Sequence, residues 1–122
     1  MTPDTPLQKA RIIEFPKICD PRGNLSFVEG GRHVPFSIQR VFYIYDVPGG
    51  ETRGGHAHYV CQTVLIAVSG SLSVRLTDGV SEQVFHLDRS NKGLLIPAGV
   101  WDVMENFTTG TVVLALASHQ YE

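Results

Sequence analysis

Roughly eight short runs rich in β-branched and aromatic residues, each closed by a turn signal, constrain this chain more than any other feature. They are Arg11 to Phe15, Leu25 to Glu29, Ile38 to Tyr45, Val60 to Val68, Ser71 to Leu76, Gln83 to Leu87, Gly93 to Ile96 and Thr111 to Ala117. Between them stand Asp20-Pro21-Arg22-Gly23, Gly30-Gly31, Pro48-Gly49-Gly50, Ser69-Gly70, Asp78-Gly79 and Pro97-Ala98-Gly99. No stretch of about 10–12 residues combines helical periodicity with a cap. Strands of this length and spacing predict an all-β antiparallel sandwich, jelly roll or barrel. Asp78-Gly79 between two alternating runs predicts a hairpin. With Ser69-Gly70 as the turn before it, the centre of the chain is expected to run as an antiparallel meander.

A chain of 122 residues fits one domain, expected over residues 1–122. Its net charge of −2 gives no electrostatic reason to expect nucleic acid or an anionic membrane as partner. An anionic ligand must then be held by a few placed cations. The first six residues, Met1 to Pro6, carry neither a basic nor an apolar segment, so no signal peptide is expected. No apolar run approaches the roughly 18–20 residues of a membrane helix. Cys19 and Cys61 lie far apart without a CxxC pair and read as two buried, reduced thiols. A cytoplasmic location is expected.

The chemistry concentrates in Gly50-Glu51-Thr52-Arg53-Gly54-Gly55-His56-Ala57-His58. Strand alternation would turn His56 and His58 to one side, with Val60, Gln62 and Val64 following them. Paired imidazoles suit metal ligation or proton transfer. The spacing of Gly50, His56, His58 and Gly70 resembles the first cupin motif, with Gln62 or Thr63 where its glutamate stands. Pro97, Gly99 and Asn106 resemble the second, with Asp102 in place of its histidine. A cupin-type jelly roll follows as the expected fold. A facial triad of His56, His58 and Asp102 for Fe(II) is the metal-dependent alternative. With neutral Gln62 in the carboxylate position, no metal and no cofactor are expected.

The run Pro35 to Ile44 followed by Arg53-Gly54-Gly55-His56-Ala57-His58 resembles the dTDP-4-oxo-6-deoxyglucose 3,4-ketoisomerases. Asp20 to Leu25, Glu29 and Pro97 to Trp101 fit the same pattern, so the likeness covers residues 12 to 121. Two departures stand out: Asp102 follows Trp101 where the family often has His, and members usually run on past Tyr121-Glu122 with an acidic, Tyr-containing tail. The resemblance implies a metal-free jelly-roll homodimer acting on a dTDP-linked keto sugar, on the way to deoxyamino sugars of lipopolysaccharide, S-layer or antibiotic glycans. The apolar run Ile12 to Phe15 would pair across the two-fold axis, with the N-terminal strands exchanged.

Moving a carbonyl from carbon 4 to carbon 3 needs a proton taken from carbon 3 and one returned to carbon 4. An imidazole with its pKa near neutrality serves both steps. His58 is the expected base because it lies one pleat further from the Gly54-Gly55 mouth, where water is scarcer. His56 assists, and Tyr43 donates to the developing oxyanion. Arg53 and Arg22 would hold the phosphates, with Arg40 as a further candidate. Trp101 would stack on base or sugar, and Gln62 and Asp102 would bind substrate. Tyr43 with Tyr45, and Trp101, have core or interface packing as the plain alternative. His33, His86 and His119 read as solvated or turn residues. The rival functions are a nucleotide-sugar epimerase, a metal-dependent cupin oxygenase and a non-catalytic sugar-binding cupin.

Overall fold

A computed structural model describes residues 5–121; Met1 to Asp4 and Glu122, and with them most of the segment read for a signal peptide, lie outside the described residues. A 3₁₀ turn at Pro6–Lys9 leads into β1 (Arg11–Glu14), β2 (Lys17–Ile18), β3 (Leu25–Ser26), β4 (Arg40–Ile44) and β5 (Arg53–His56). There follow β6 (Thr63–Ser69), β7 (Leu72–Thr77), β8 (Glu82–Leu87), β9 (Lys92–Ile96), β10 (Trp101–Glu105) and β11 (Val112–Ala117). They form a five-stranded sheet in the order β1-β9-β6-β11-β4, a four-stranded sheet β5-β10-β7-β8 and a small β2-β3 ribbon. The ladder pairings are all antiparallel. The expected all-β antiparallel sandwich is therefore the observed one. Among the described residues no helix is long and apolar enough to cross a membrane.

The sequence of β6 explains its central place. Leu65 and Ala67 face the other sheet, among Leu72, Val74 and Leu76 of β7, Leu94 and Ile96 of β9, and Val113 and Ala115 of β11. Val64 and Ile66 face the opposite side, where Phe15, Val34 and Phe36 cover them together with Leu95 and Leu116. A strand buried on both faces reads as a continuous apolar run, not as an alternating one. β7 is buried on one face, and its burial alternates accordingly. The β7–β8 hairpin closes as its Asp-Gly signal predicts. Asp78 Oδ1 accepts the Val80 and Ser81 N–H groups at 2.9 and 2.7 Å. These two donors hold the Asp78 carboxyl below the usual carboxylate range, the Ser81 contact contributing most.

Three expectations are corrected. The central meander does not form: β7 pairs with β8, but β6 lies in the other sheet. Ser69-Gly70 is a crossing between sheets, pinned where the Ser71 N–H meets the Thr108 and Thr111 hydroxyls at 2.9 and 3.2 Å. Two strands, β5 and β10, lie in segments read as motif and turn. The thiols also differ: Cys61 is buried, whereas Cys19 is exposed, and both are free. Within the single chain described, β1 lies beside β9, with Ile12 opposite Leu94 and Ile13 opposite Gly93.

Candidate active site

β5 and β10 form the wall of the site, and glycine sets their approach. Asp102 pairs with His56 and Val103 with Gly54, so Gly55 has no partner and the ladder bulges there. Gly54 has φ +93°, and a Cβ on it would stand 2.5 Å from Asp102 Oδ1 and 2.8 Å from the Asp102 carbonyl oxygen. The close contact of β5 with Asp102 therefore needs glycine. β5 ends at His56, whose side chain lies outside the described residues. Residues 57 to 62 belong to no strand, Val60 is exposed and Val64 is fully buried, so alternation does not carry from His56 to Val64. His58 is exposed, not deep in the barrel. Its carbonyl accepts the Gly99 N–H at 2.6 Å, so the Pro97-Ala98-Gly99 turn fixes its backbone.

His58 borders two cavities. The inner one, of about 170 Å³, lies between the sheets and is lined by Tyr43, Arg53, Thr63, Asp102 and Met104 among others. The outer one, of about 410 Å³, is lined by Arg40, Tyr59, Cys61, His119 and Tyr121 among others. The structure thus gathers four of the expected residues, His58, Arg53, Asp102 and Tyr43. Tyr43 reaches only the rim: Phe42 and Ile44 take the core positions of β4, while the Tyr43 ring is 63% exposed and stacks on Tyr45 with centroids 5.7 Å apart.

Three expected residues are not brought in. Arg22 sits in the turn between β2 and β3, bound to Asp20 at 2.9 Å. That contact holds the Asp20 carboxyl below its usual range and raises the guanidinium. Trp101 precedes Asp102 on β10, so it faces the other side of the sheet and is half exposed. Gln62 is tied by its backbone to Ser118: its N–H donates to Ser118 Oγ at 2.8 Å and its carbonyl accepts the Ser118 N–H at 2.9 Å. Neither cavity is lined by its side chain. Thr63, the first residue of β6, was named only as one of two residues at the cupin glutamate position, without a role in the site, and His119 was read as a solvated or turn residue. The bulge carries the one sequence signal overlooked here, a Gly-Gly pair inside a strand. Among the described residues, no group of three or more His, Cys, Asp or Glu stands close enough to hold a metal ion.

Imidazole, hydroxyl, carboxylate and guanidinium around a small inner cavity suit proton transfer on a polar organic substrate. The comparisons with known proteins agree. The FdtA family, described as WxcM-like, C-terminal, matches residues 8–122. A TDP-4-oxo-6-deoxy-alpha-D-glucose-3,4-oxoisomerase of Aneurinibacillus thermoaerophilus is 42% identical over 112 residues, 92% of this chain and 81% of that protein. The structure of QdtA, a sugar 3,4-ketoisomerase from Thermoanaerobacterium thermosaccharolyticum in complex with TDP, superposes with a TM-score of 0.92 at 40% identity, covering 95% of this chain and 85% of that one. The WlaRB TDP-quinovose 3,4-ketoisomerase from Campylobacter jejuni gives 0.90 at 39% identity, over 94% and 88%. The resemblance read from the Arg53-to-His58 motif is borne out: the chain belongs to the FdtA (WxcM-like, C-terminal) family and is an enzyme of the sugar 3,4-ketoisomerase class.

Proposed function

We propose that the chain binds a dTDP-linked 4-oxo-6-deoxyhexose and moves its carbonyl from carbon 4 to carbon 3, with His58 as the base. The observation that carries this reading is the place of His58 on the shared wall of two cavities, beside Arg53 and Asp102. The sugar ring occupies the inner cavity and the nucleotide part the outer one. The adjacent ketone acidifies the hydrogen on carbon 3. Neutral His58 takes that proton and leaves an enediolate over carbons 3 and 4. The imidazolium then returns a proton to carbon 4, while His56 moves the proton between the two oxygens. The Thr63 hydroxyl lines the inner cavity as a neutral donor for the developing oxyanion, whereas the Tyr43 ring stays on the outer side of β4. Arg53 steadies the ligand from β5. The test is NMR of the purified protein with dTDP-4-oxo-6-deoxyglucose. The carbonyl resonance of carbon 4 gives way to one at carbon 3; a substrate left unchanged refutes the proposal.

The reaction redistributes hydrogens within one molecule and needs no electron acceptor. Turnover is therefore expected to survive exhaustive chelation, with elemental analysis finding well under one metal per chain. Loss of turnover on chelation, restored by Fe(II) or Zn(II), contradicts this and favours the metal-dependent alternative.

The assembly we propose is a homodimer in the cytoplasm. Supporting it, Val41, Tyr43 and Val68 of the five-stranded sheet are exposed, and Val41 and Val68 line, with Phe27 from beyond β3, an apolar groove of about 350 Å³. A second copy on this face would cover them. Light scattering at micromolar concentration should give twice the chain mass; a monomer overturns the assembly.

A further inference from the structure

His119 lines the outer cavity without a part in the proton-transfer scheme. It stands exposed in the bend after β11. The backbone before it is fixed from two sides. The Ala117 carbonyl accepts the Gln39 N–H at 2.9 Å, and Ser118 is bonded to Gln62 through both its N–H and its hydroxyl. Ser118 Oγ lies 2.7 Å from His119 Nδ1. That oxygen already accepts the Gln62 N–H, so its own hydrogen is available to Nδ1. With Nδ1 so occupied, Nε2 carries the ring hydrogen and is the nitrogen left to a ligand. A hydroxyl oxygen also keeps a second acceptor lone pair. A proton gained at Nδ1 is therefore accepted by the same Ser118 Oγ, whose own hydrogen turns away. The pair accommodates both the neutral ring and the imidazolium, and Nε2 donates in either. None of the described residues lining this cavity is a carboxylate. An imidazolium there has no anionic partner among them until a ligand brings one.

We propose that His119, its Nδ1 taken by Ser118, donates Nε2–H to a phosphate of the nucleotide sugar and takes up a proton from solvent as that phosphate binds. This rests on the nucleotide-sugar reading of the same site. A sugar beside His58 in the inner cavity leaves its phosphates in the outer one, where His119 stands. A phosphate oxygen accepts a bond from an imidazolium more strongly than from a neutral ring. The anion therefore draws the proton in. By linkage, a ligand that brings a proton with it binds more tightly as the pH falls. An imidazole suits this role because its charge changes near neutrality. The cavity is shared by Arg40 from β4, by His58, Tyr59 and Cys61 from the segment before β6, and by Tyr121 from beyond β11. A guanidinium attracts the anion at every pH, so His119 supplies a part of the affinity that varies.

The test is calorimetric affinity for dTDP-glucose at pH 6 and pH 8, on either side of the usual imidazole range. Its diphosphate is esterified at both ends and keeps its charge between these values, and it has no ketone to isomerise. His119→Gln keeps a side-chain donor that cannot be charged. At pH 6 it is expected to bind about 5- to 10-fold more weakly than wild type, between the worth of an exposed ion pair and that of a charge-assisted hydrogen bond. At pH 8 the two should agree within about twofold, because the wild-type ring is then neutral in most molecules. The other groups of the cavity remain in both proteins, so the difference belongs to residue 119. His119→Lys, cationic at both values, should lose less affinity than wild type between pH 6 and pH 8. Titrations in buffers of different ionisation heat should show more proton uptake by wild type than by His119→Gln. Thymidine, which lacks phosphate, should bind wild type and His119→Gln alike by NMR. Equal dTDP-glucose affinity of these two proteins at pH 6 overturns the proposal and leaves the nucleotide-sugar reading standing; so does an equal loss of affinity for thymidine, which would place His119 on the nucleoside. A wild-type protein that binds dTDP-glucose at neither pH overturns both. Binding that depends on His119 in this way, in a protein that leaves the carbonyl of dTDP-4-oxo-6-deoxyglucose at carbon 4, upholds the phosphate contact and refutes the isomerase reading.

Discussion

Replacing His58 by Asn is expected to lower isomerisation by about 10²–10⁴-fold, the usual worth of a positioned general base. The same variant should lose exchange of the carbon 3 hydrogen with solvent, because abstraction itself is removed. Nucleotide affinity should stay within a few-fold, since Arg40 and Arg53 are untouched. Asn keeps a polar side chain of similar reach but cannot take up a proton at neutral pH. The Gly99 N–H bonds the backbone of residue 58, so the local fold survives the change. His56→Asn should slow turnover yet retain some exchange, because the first proton can still leave. NMR in deuterium oxide, following the carbon 3 proton signal, separates the two. If His56→Asn loses exchange and His58→Asn keeps it, the roles are reversed. If both keep it, the base lies elsewhere, with Asp102 and Tyr43 next to be tested.

Gly54→Ala should damage stability and activity together. The residue sits at φ +93°, where an L side chain costs about 1–2 kcal/mol. Its new methyl would also overlap Asp102, backbone oxygen included, and overpacking of that kind adds about 1–3 kcal/mol. A total loss of about 2–5 kcal/mol should appear in urea denaturation. The β5–β10 pair must shift to relieve the overlap, so Asp102 leaves its place on the cavity wall and turnover falls in the protein that remains folded. Gly55 meets no atom within 4 Å at its Cβ position, so Gly55→Ala meets the backbone penalty alone and should lose less. Equal stability of Gly54→Ala and wild type would contradict the described contact.

What could be read from the sequence depended on how local its cause was. The β7–β8 hairpin was legible because Asp78-Gly79 closes it with its own side-chain and backbone contacts. β6 was legible as an apolar run because both its faces are buried. That Ser69-Gly70 carries the chain from one sheet to the other was not, since a turn signal does not say which sheet follows. β5 lacked a strand signature because two of its four residues are glycine; it exists through pairing with β10. In the site, Arg53, His58 and Asp102 came from motif spacing. The reason first given for His58, strand alternation into a dry interior, fails at the Gly55 bulge and the strand end at His56. Trp101 and Asp102 were both given to the substrate, although neighbours on a strand face opposite sides. Thr63 and Arg40 were named, at the cupin glutamate position and as a phosphate candidate, but their places on the cavities follow from the register of β6 and β4 on β11, which no local pattern encodes.

The most direct test of proton transfer between carbons 3 and 4 is the position of deuterium in the product. Wild-type protein, chelated beforehand, is incubated with dTDP-4-oxo-6-deoxyglucose in deuterium oxide and the sugar is read by NMR. The account predicts a product with its carbonyl at carbon 3 and deuterium at carbon 4. Deuterium at carbons 3 and 5 with the carbonyl still at carbon 4 would instead mark an epimerase and contradict it.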